Sequence, residues 1–199
     1  LPTAPIPDTP DRPLRADAQR NRERLLASAV RAFSQDGPDV TLDSIAKEAG
    51  VGIGTLYRHF PTREALIEAA YRNELGRLCD AAAQLRGSLP ADVALREWMD
   101  RFLDYMRTKR GMADALHVVI ASGANPFTES RARMLAATAE LLDAGAAAGA
   151  IREDVQPEDV MASLSGISLA AGAPAQQEQA ERLLDLLMDG LRHTGRSPG

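Results

Sequence analysis

Between Gly52 and Pro61 the chain brings together Thr55, Tyr57, Arg58 and His59, followed by Arg63 two residues beyond the proline. Hydroxyls, a guanidinium and an imidazole are groups that hydrogen-bond phosphate oxygens and base edges. The stretch carrying them reads as a helix from about Gly52 to His59. So short a helix is unstable alone in water and needs a scaffold. Polar and aromatic tips on a short, supported helix suit entry into a DNA major groove.

The preceding residues supply part of that scaffold. Thr41 is a good N-cap and Asp43 lies in the first turn, where the helix dipole favours a carboxylate. Leu42, Ile45, Ala46 and Ala49 share one face at helical spacing. Gly50 stops this helix, because glycine accepts the left-handed conformation of a C-terminal cap. Val51 should tuck between the two helices.

The run IAKEAGVGIGTLYRHFPTREAL resembles the helix-turn-helix of the TetR family of bacterial transcription regulators. The likeness extends from about Asp17 to Leu66; the later helices match the family in number, length and order. By that resemblance, Gly52, Ile53, Thr55 and Tyr57 face bases or the adjacent backbone, while Thr41, Tyr57, His59 and Arg63 hold phosphates. Gly52-Ile53 offers few hydrogen-bonding groups, so Ile53 would meet a thymine methyl and Thr55 a base edge. Gly50, Gly52 and Gly54 also resemble a dinucleotide-binding loop, but that loop follows a strand and these glycines follow a helical run.

Composition sets the frame. The chain has 199 residues, 45% apolar and 26% charged, enough for a proper core in one or two units. No apolar run approaches the roughly 20 residues that span a membrane. No leader resembling a signal peptide is read at the amino end, which begins at Leu1 rather than Met, and the expectation is a cytoplasmic protein. The single cysteine, Cys79, excludes an intramolecular disulfide and reads as a half-buried core residue. The net charge of −5 is unevenly spread. Residues 11–87 hold twelve basic and eleven acidic side chains, and residues 88–199 hold eleven and sixteen. Arg12, Arg15, Arg20, Arg22, Arg24 and Arg31 gather at the amino end, where a basic face could meet phosphate.

In order along the chain, residues 1–14 carry five prolines and read as a disordered arm. A helix from about Asp17 to Gln35, with Leu26, Ala29, Val30 and Phe33 buried, ends at Asp36-Gly37-Pro38. Residues 15–61 form the expected DNA-binding unit, and 62–87 a long connecting helix capped by Thr62. Residues 88–193 read as a helical bundle, with 194–199 a loose tail. No segment alternates as a half-buried strand does, so the expected fold is all-α with about nine helices.

Two features of the bundle concern partners. The penultimate helix is rich in small residues, with Met161, Leu164, Ile167 and Ser168 on its surface; the last carries Leu183, Leu184, Leu187 and Leu191. Helices apolar over so much of their circumference are buried on more than one side. The family resemblance implies a homodimer through these two helices, which also suits reading two half-sites of DNA. It further implies a small-molecule pocket, for which Trp98, Phe102, Met106, His117, Ile120, Phe127 and Met134 are the candidate lining.

No HExxH helix, G-x-S-x-G turn or zinc-spaced Cys/His cluster occurs in the sequence, so no catalytic residue, metal site or cofactor is assigned. The resemblance implies a ligand-responsive regulator, a repressor released from a palindromic double-stranded operator by a small molecule. An architectural nucleic-acid binder without a ligand is the alternative, disfavoured by the acidic second half; a small helical enzyme ranks last.

Overall fold

A computed structural model describes residues 11–192. These form nine α-helices and one short 3-10 turn. In chain order they are α1 (Asp11–Gln35), α2 (Leu42–Glu48), α3 (Ile53–His59), α4 (Arg63–Ser88), α5 (Ala91–Gly111), α6 (Ala113–Ala121), α7 (Ser130–Ala147), α8 (Pro157–Ala170) and α9 (Gln177–Leu191). The 3-10 turn, Pro174–Gln176, precedes α9. Among the described residues no strand forms, and one isolated bridge joins Ile151 to Arg192.

The first helix starts at Asp11, not at Asp17, so the end of the expected arm is helical. Pro13 falls in the first turn, where an amide has no helical acceptor and a fixed φ suits the helix. The remainder of the arm, residues 1–10, and the expected tail, 194–199, lie outside the described residues.

The core begins where α1, α2, α3 and the start of α4 meet, at Leu25, Leu26, Ala29, Phe33, Ile45, Leu56, Phe60, Leu66 and Ile67. Each such side chain contributes roughly 1.5–3 kcal/mol by leaving water, which is what makes the seven-residue helices α2 and α3 persist. The core continues along α4, whose Ala70, Leu75, Leu78, Ala82 and Leu85 are buried against α5 and α7. Thr62 caps α4 by accepting a hydrogen bond from the amide of Ala65 at 3.1 Å. Helix α4 therefore packs both against α1 and against the second half.

Among the described residues, no helix is long and apolar enough to cross a membrane. Nor does any group of three or more His, Cys, Asp or Glu side chains stand ready to hold a metal ion.

Candidate nucleic-acid interface and neighbouring cleft

The expected helix, turn and helix are built by local capping. The Thr41 hydroxyl accepts from the amide of Ser44 at 3.2 Å, fixing the first turn of α2. Gly50 takes φ 68°, a left-handed conformation that side chains rarely adopt, and ends that helix. The Val51 amide then donates to the carbonyl of Ala46 at 3.0 Å, which aims the chain into α3.

Helix α3 buries Leu56 and is held at its end by the buried Phe60. Its opposite side is bare. Ile53 is 36% exposed and Tyr57 49%, and Gly52, Gly54 and Arg58 are exposed beside them. Thr55 and His59 are half-buried. Arg58 lies back along its own helix, donating to the carbonyl of Gly54 at 3.2 Å. A Cβ added at Gly52 or Gly54 would meet nothing within 4 Å, and neither glycine has positive φ. Neither packing nor backbone conformation within the protein therefore requires glycine there.

Arg63, expected at a phosphate, is engaged within the protein. Its guanidinium donates to the carbonyls of Pro38 and, at 2.6 Å, Val40. It also lies 5.3 Å from the centre of the Phe33 ring. Arg63 thus staples the loop between α1 and α2 to the start of α4. Several arginines of α1 are likewise engaged. Arg20 pairs with Asp17, Arg31 pairs with Glu48 at 2.6 Å, and Arg22 lies over the ring of Phe60. The side chains of Arg12 and Arg15 fall outside the described ones.

In the second half, the seven candidate cleft residues separate into two groups. Trp98 and Phe102 are fully buried core, and the Trp98 indole donates to the carbonyl of Leu78 at 2.9 Å. Met134 is half-buried against the same core. These three side chains are packed into the core and are not part of the cleft lined by the other four. Their aromatic and apolar bodies instead fill the space between α4, α5 and α7. Beside them runs a buried hydroxyl chain. Tyr105 donates to the Tyr71 hydroxyl at 2.7 Å, and Tyr71 shares a 3.0 Å hydrogen bond with Ser130. Burial, reinforced by the bond to Tyr71, pushes the Tyr105 phenol well above its ordinary range.

Met106, His117, Ile120 and Phe127 do converge. With Lys109, Arg110, Ala113 and Leu116 they line an open cleft of about 240 Å³ between α5, α6 and the loop before α7. Lys109 was not singled out in the sequence. Its ammonium lies 4.6 Å from the centre of the Phe127 ring, and burial lowers its pKa. The sequence signal was its spacing, one turn beyond Met106 on a helix whose other face is core. A larger cleft of about 430 Å³ lies between α4 and α5, but charged side chains line it. Arg77, Arg101 and Asp104 there already pair with Glu74, Glu97 and Arg107. The smaller, apolar cleft is the better place for an organic ligand.

The candidate interface residues on the last two helices also divide. Met161, Leu164, Ser168, Leu184 and Leu191 are buried within the chain itself. Ile167, Leu183 and Leu187 are half-buried. The outward surface consists of other residues: Leu169 at 80% exposure and Leu186 at 68%, with Ala162, Gly166 and Gly190 exposed beside them. Their spacing along α8 and α9 forms one small-residue stripe and one leucine stripe.

Known proteins share this fold. Residues 25–70 match the family model of bacterial regulatory proteins of the tetR family, and residues 90–193 match that of the SbtR-like transcriptional regulator C-terminal domain. The crystal structure of the TetR transcriptional regulator SCO0520 from Streptomyces coelicolor superimposes with a TM-score of 0.83 at 57% identity, covering 87% of this chain and 99% of that one. A TetR transcription regulatory protein from Mycobacterium vanbaalenii gives a TM-score of 0.75 at 35% identity, covering 90% and 99%. An HTH-type transcriptional regulator of Staphylococcus aureus (strain USA300) is 31% identical over 113 residues, 56% of this chain. The matched segments span only 49% to 60% of such curated relatives.

Proposed function

The chain belongs to the TetR family of bacterial transcription regulators, and we propose that it is a homodimeric repressor released from a palindromic operator by a small molecule. The observation that carries this reading is α3, a seven-residue helix anchored by Leu56 on one side and bare on the other. Its size suits the major groove, with Ile53 against a thymine methyl, Thr55 on a base edge and Tyr57 on a phosphate. Thr41 and His59 flank it as further backbone contacts. Arg58 reaches the DNA after giving up its bond to the Gly54 carbonyl. The protein acts in the cytoplasm, on double-stranded DNA, as a binding protein and not an enzyme.

In functional terms, residues 15–61 read DNA, 62–87 connect, and 88–193 bind ligand and dimerise. Dimerisation uses the outer faces of α8 and α9, around Leu169, Leu183, Leu186 and Leu187, where small residues let helices approach closely. Two copies of α3 must then stand about 34–36 Å apart to enter successive major grooves on one side of the duplex.

The apolar cleft supports the effector role and favours a regulator over an architectural binder. Its Arg110 and the adjoining Gly111 touch both neighbouring units. Arg110 donates to the carbonyls of Ser168 at 2.6 Å and Gly172 at 3.1 Å, at the end of α8. Gly111 packs so closely on α1 that an added Cβ would stand 3.0 Å from that of Ser34. A ligand that shifts the α5–α6 junction would therefore press on both the dimer helices and the DNA-reading unit. Induction requires tighter ligand binding by the splayed dimer than by the DNA-competent one, and DNA must weaken ligand binding by the same factor. The test is to select bound sequences from random duplexes and footprint them. A palindrome protected by a dimer is expected; uniform binding to all duplexes would overturn the reading.

A further inference from the structure

The apolar cleft contains two cations without a carboxylate partner, Lys109 and Arg110. Among the described residues no carboxylate pairs with either; Arg110 directs hydrogen bonds to the carbonyls of Ser168 and Gly172, while the Lys109 ammonium meets only the face of Phe127. The Lys109 side chain is half-buried, and its ammonium projects over Phe127, a wall of the cleft. The rest of the wall is Met106, Ala113, Leu116 and Ile120, with His117 exposed at the rim. Partial burial costs an ammonium part of its hydration, and a cation without a counter-charge is therefore under-solvated. A carboxylate in the cleft would supply that counter-charge where screening by water is weakened.

Resting on the reading of this cleft as the effector site, we infer that the effector is a small apolar monocarboxylate, its carboxylate on Lys109 and its hydrocarbon against Leu116, Ile120 and Phe127. Charge complementarity selects the head group, since the cleft offers the Lys109 and Arg110 cations and no anion among its lining residues. Size selects the body. At about 240 Å³ the cleft falls below the roughly 300–1,000 Å³ typical of drug-sized sites, so it holds a short chain or a single ring. A neutral alcohol of the same length would bury the same hydrocarbon and leave the ammonium unpaired. An amine would set two ammonium groups together.

The experiment is calorimetric titration of the full-length dimer with octanoate, octanol and octylamine. It is run on the wild type, Lys109→Met, and Ile120→Trp, whose indole fills the cleft. Octanoate is expected to bind the wild type roughly tenfold or more tightly than octanol, the margin of one charge-assisted hydrogen bond. Octylamine should bind most weakly. Lys109→Met should remove the preference for octanoate while keeping octanol binding, and Ile120→Trp should remove binding of all three. Equal affinity for octanoate and octanol, with both lost in Ile120→Trp, would overturn the carboxylate inference and leave the cleft as the site. Octanoate binding that survives Ile120→Trp would overturn the cleft itself. Failure of all three to bind would exclude the proposed ligand class.

Discussion

Replacing Gly54 with alanine should strengthen the protein and weaken its hold on DNA. Gly54 is the second residue of α3, and its backbone is helical. Glycine in a helix costs about 0.5–1 kcal/mol relative to alanine, because the unfolded chain has more freedom to lose. The added methyl would meet nothing within 4 Å inside the protein, so no clash offsets that gain. For a chain of this size, 1 kcal/mol corresponds to a rise in Tm of roughly 2–4 °C. Calorimetry on the free dimer should therefore record an increase of up to about 4 °C. On DNA the same methyl stands on the exposed side of the recognition helix, beside Ile53 and Tyr57. Overpacking a close interface typically costs about 1–3 kcal/mol, so operator affinity should fall roughly 5- to 150-fold. Fluorescence anisotropy with a labelled operator measures this. Opposite signs in the two assays are the signature. A lower Tm would show that the methyl clashes within the domain, and unchanged affinity would show that DNA does not approach this part of α3.

Four other substitutions test the assignments. Leu186→Asp should yield folded monomer by sedimentation because its side chain is exposed in the protomer, whereas Leu184→Asp should unfold the chain because that side chain is buried in its own core; a dimeric Leu186→Asp would move the interface elsewhere. Arg63→Ala should lower domain stability by roughly 1.5–3 kcal/mol through loss of its bonds to the Pro38 and Val40 carbonyls, leaving the salt slope of DNA binding unchanged. A slope lower by about one, with stability intact, would restore the phosphate role. Trp98→Ala should cost about 3–5 kcal/mol of stability, read by denaturant unfolding, since it empties a fully buried site; a small change would mean that the indole borders a cleft instead of filling core.

The sequence alone determined the features that depend on neighbours within a few residues. Thr41, Gly50 and Thr62 act at the helix ends where their types predicted, because a cap or a left-handed turn is satisfied within one turn of chain. The burial of Ile45, Ala46 and Ala49, and of Leu26, Ala29 and Phe33, follows from periodicity, since an apolar stripe at helical spacing has to turn toward the core. Helix α1 starts earlier than its prolines suggest, because Pro13 lies in the first turn, where its missing amide costs nothing. Tertiary structure decided everything that depended on which neighbour covers which side. The last helix is apolar over most of its circumference, and the spacing of its leucines does not reveal that Leu184 meets its own chain while Leu186 is left bare. The long side chains were legible as charges but not as partners. Arg63 reaches back across more than twenty residues to the α1–α2 loop, and Lys109 lies over Phe127 from another part of the chain. Such reach is set by how helices cross, which no local spacing encodes.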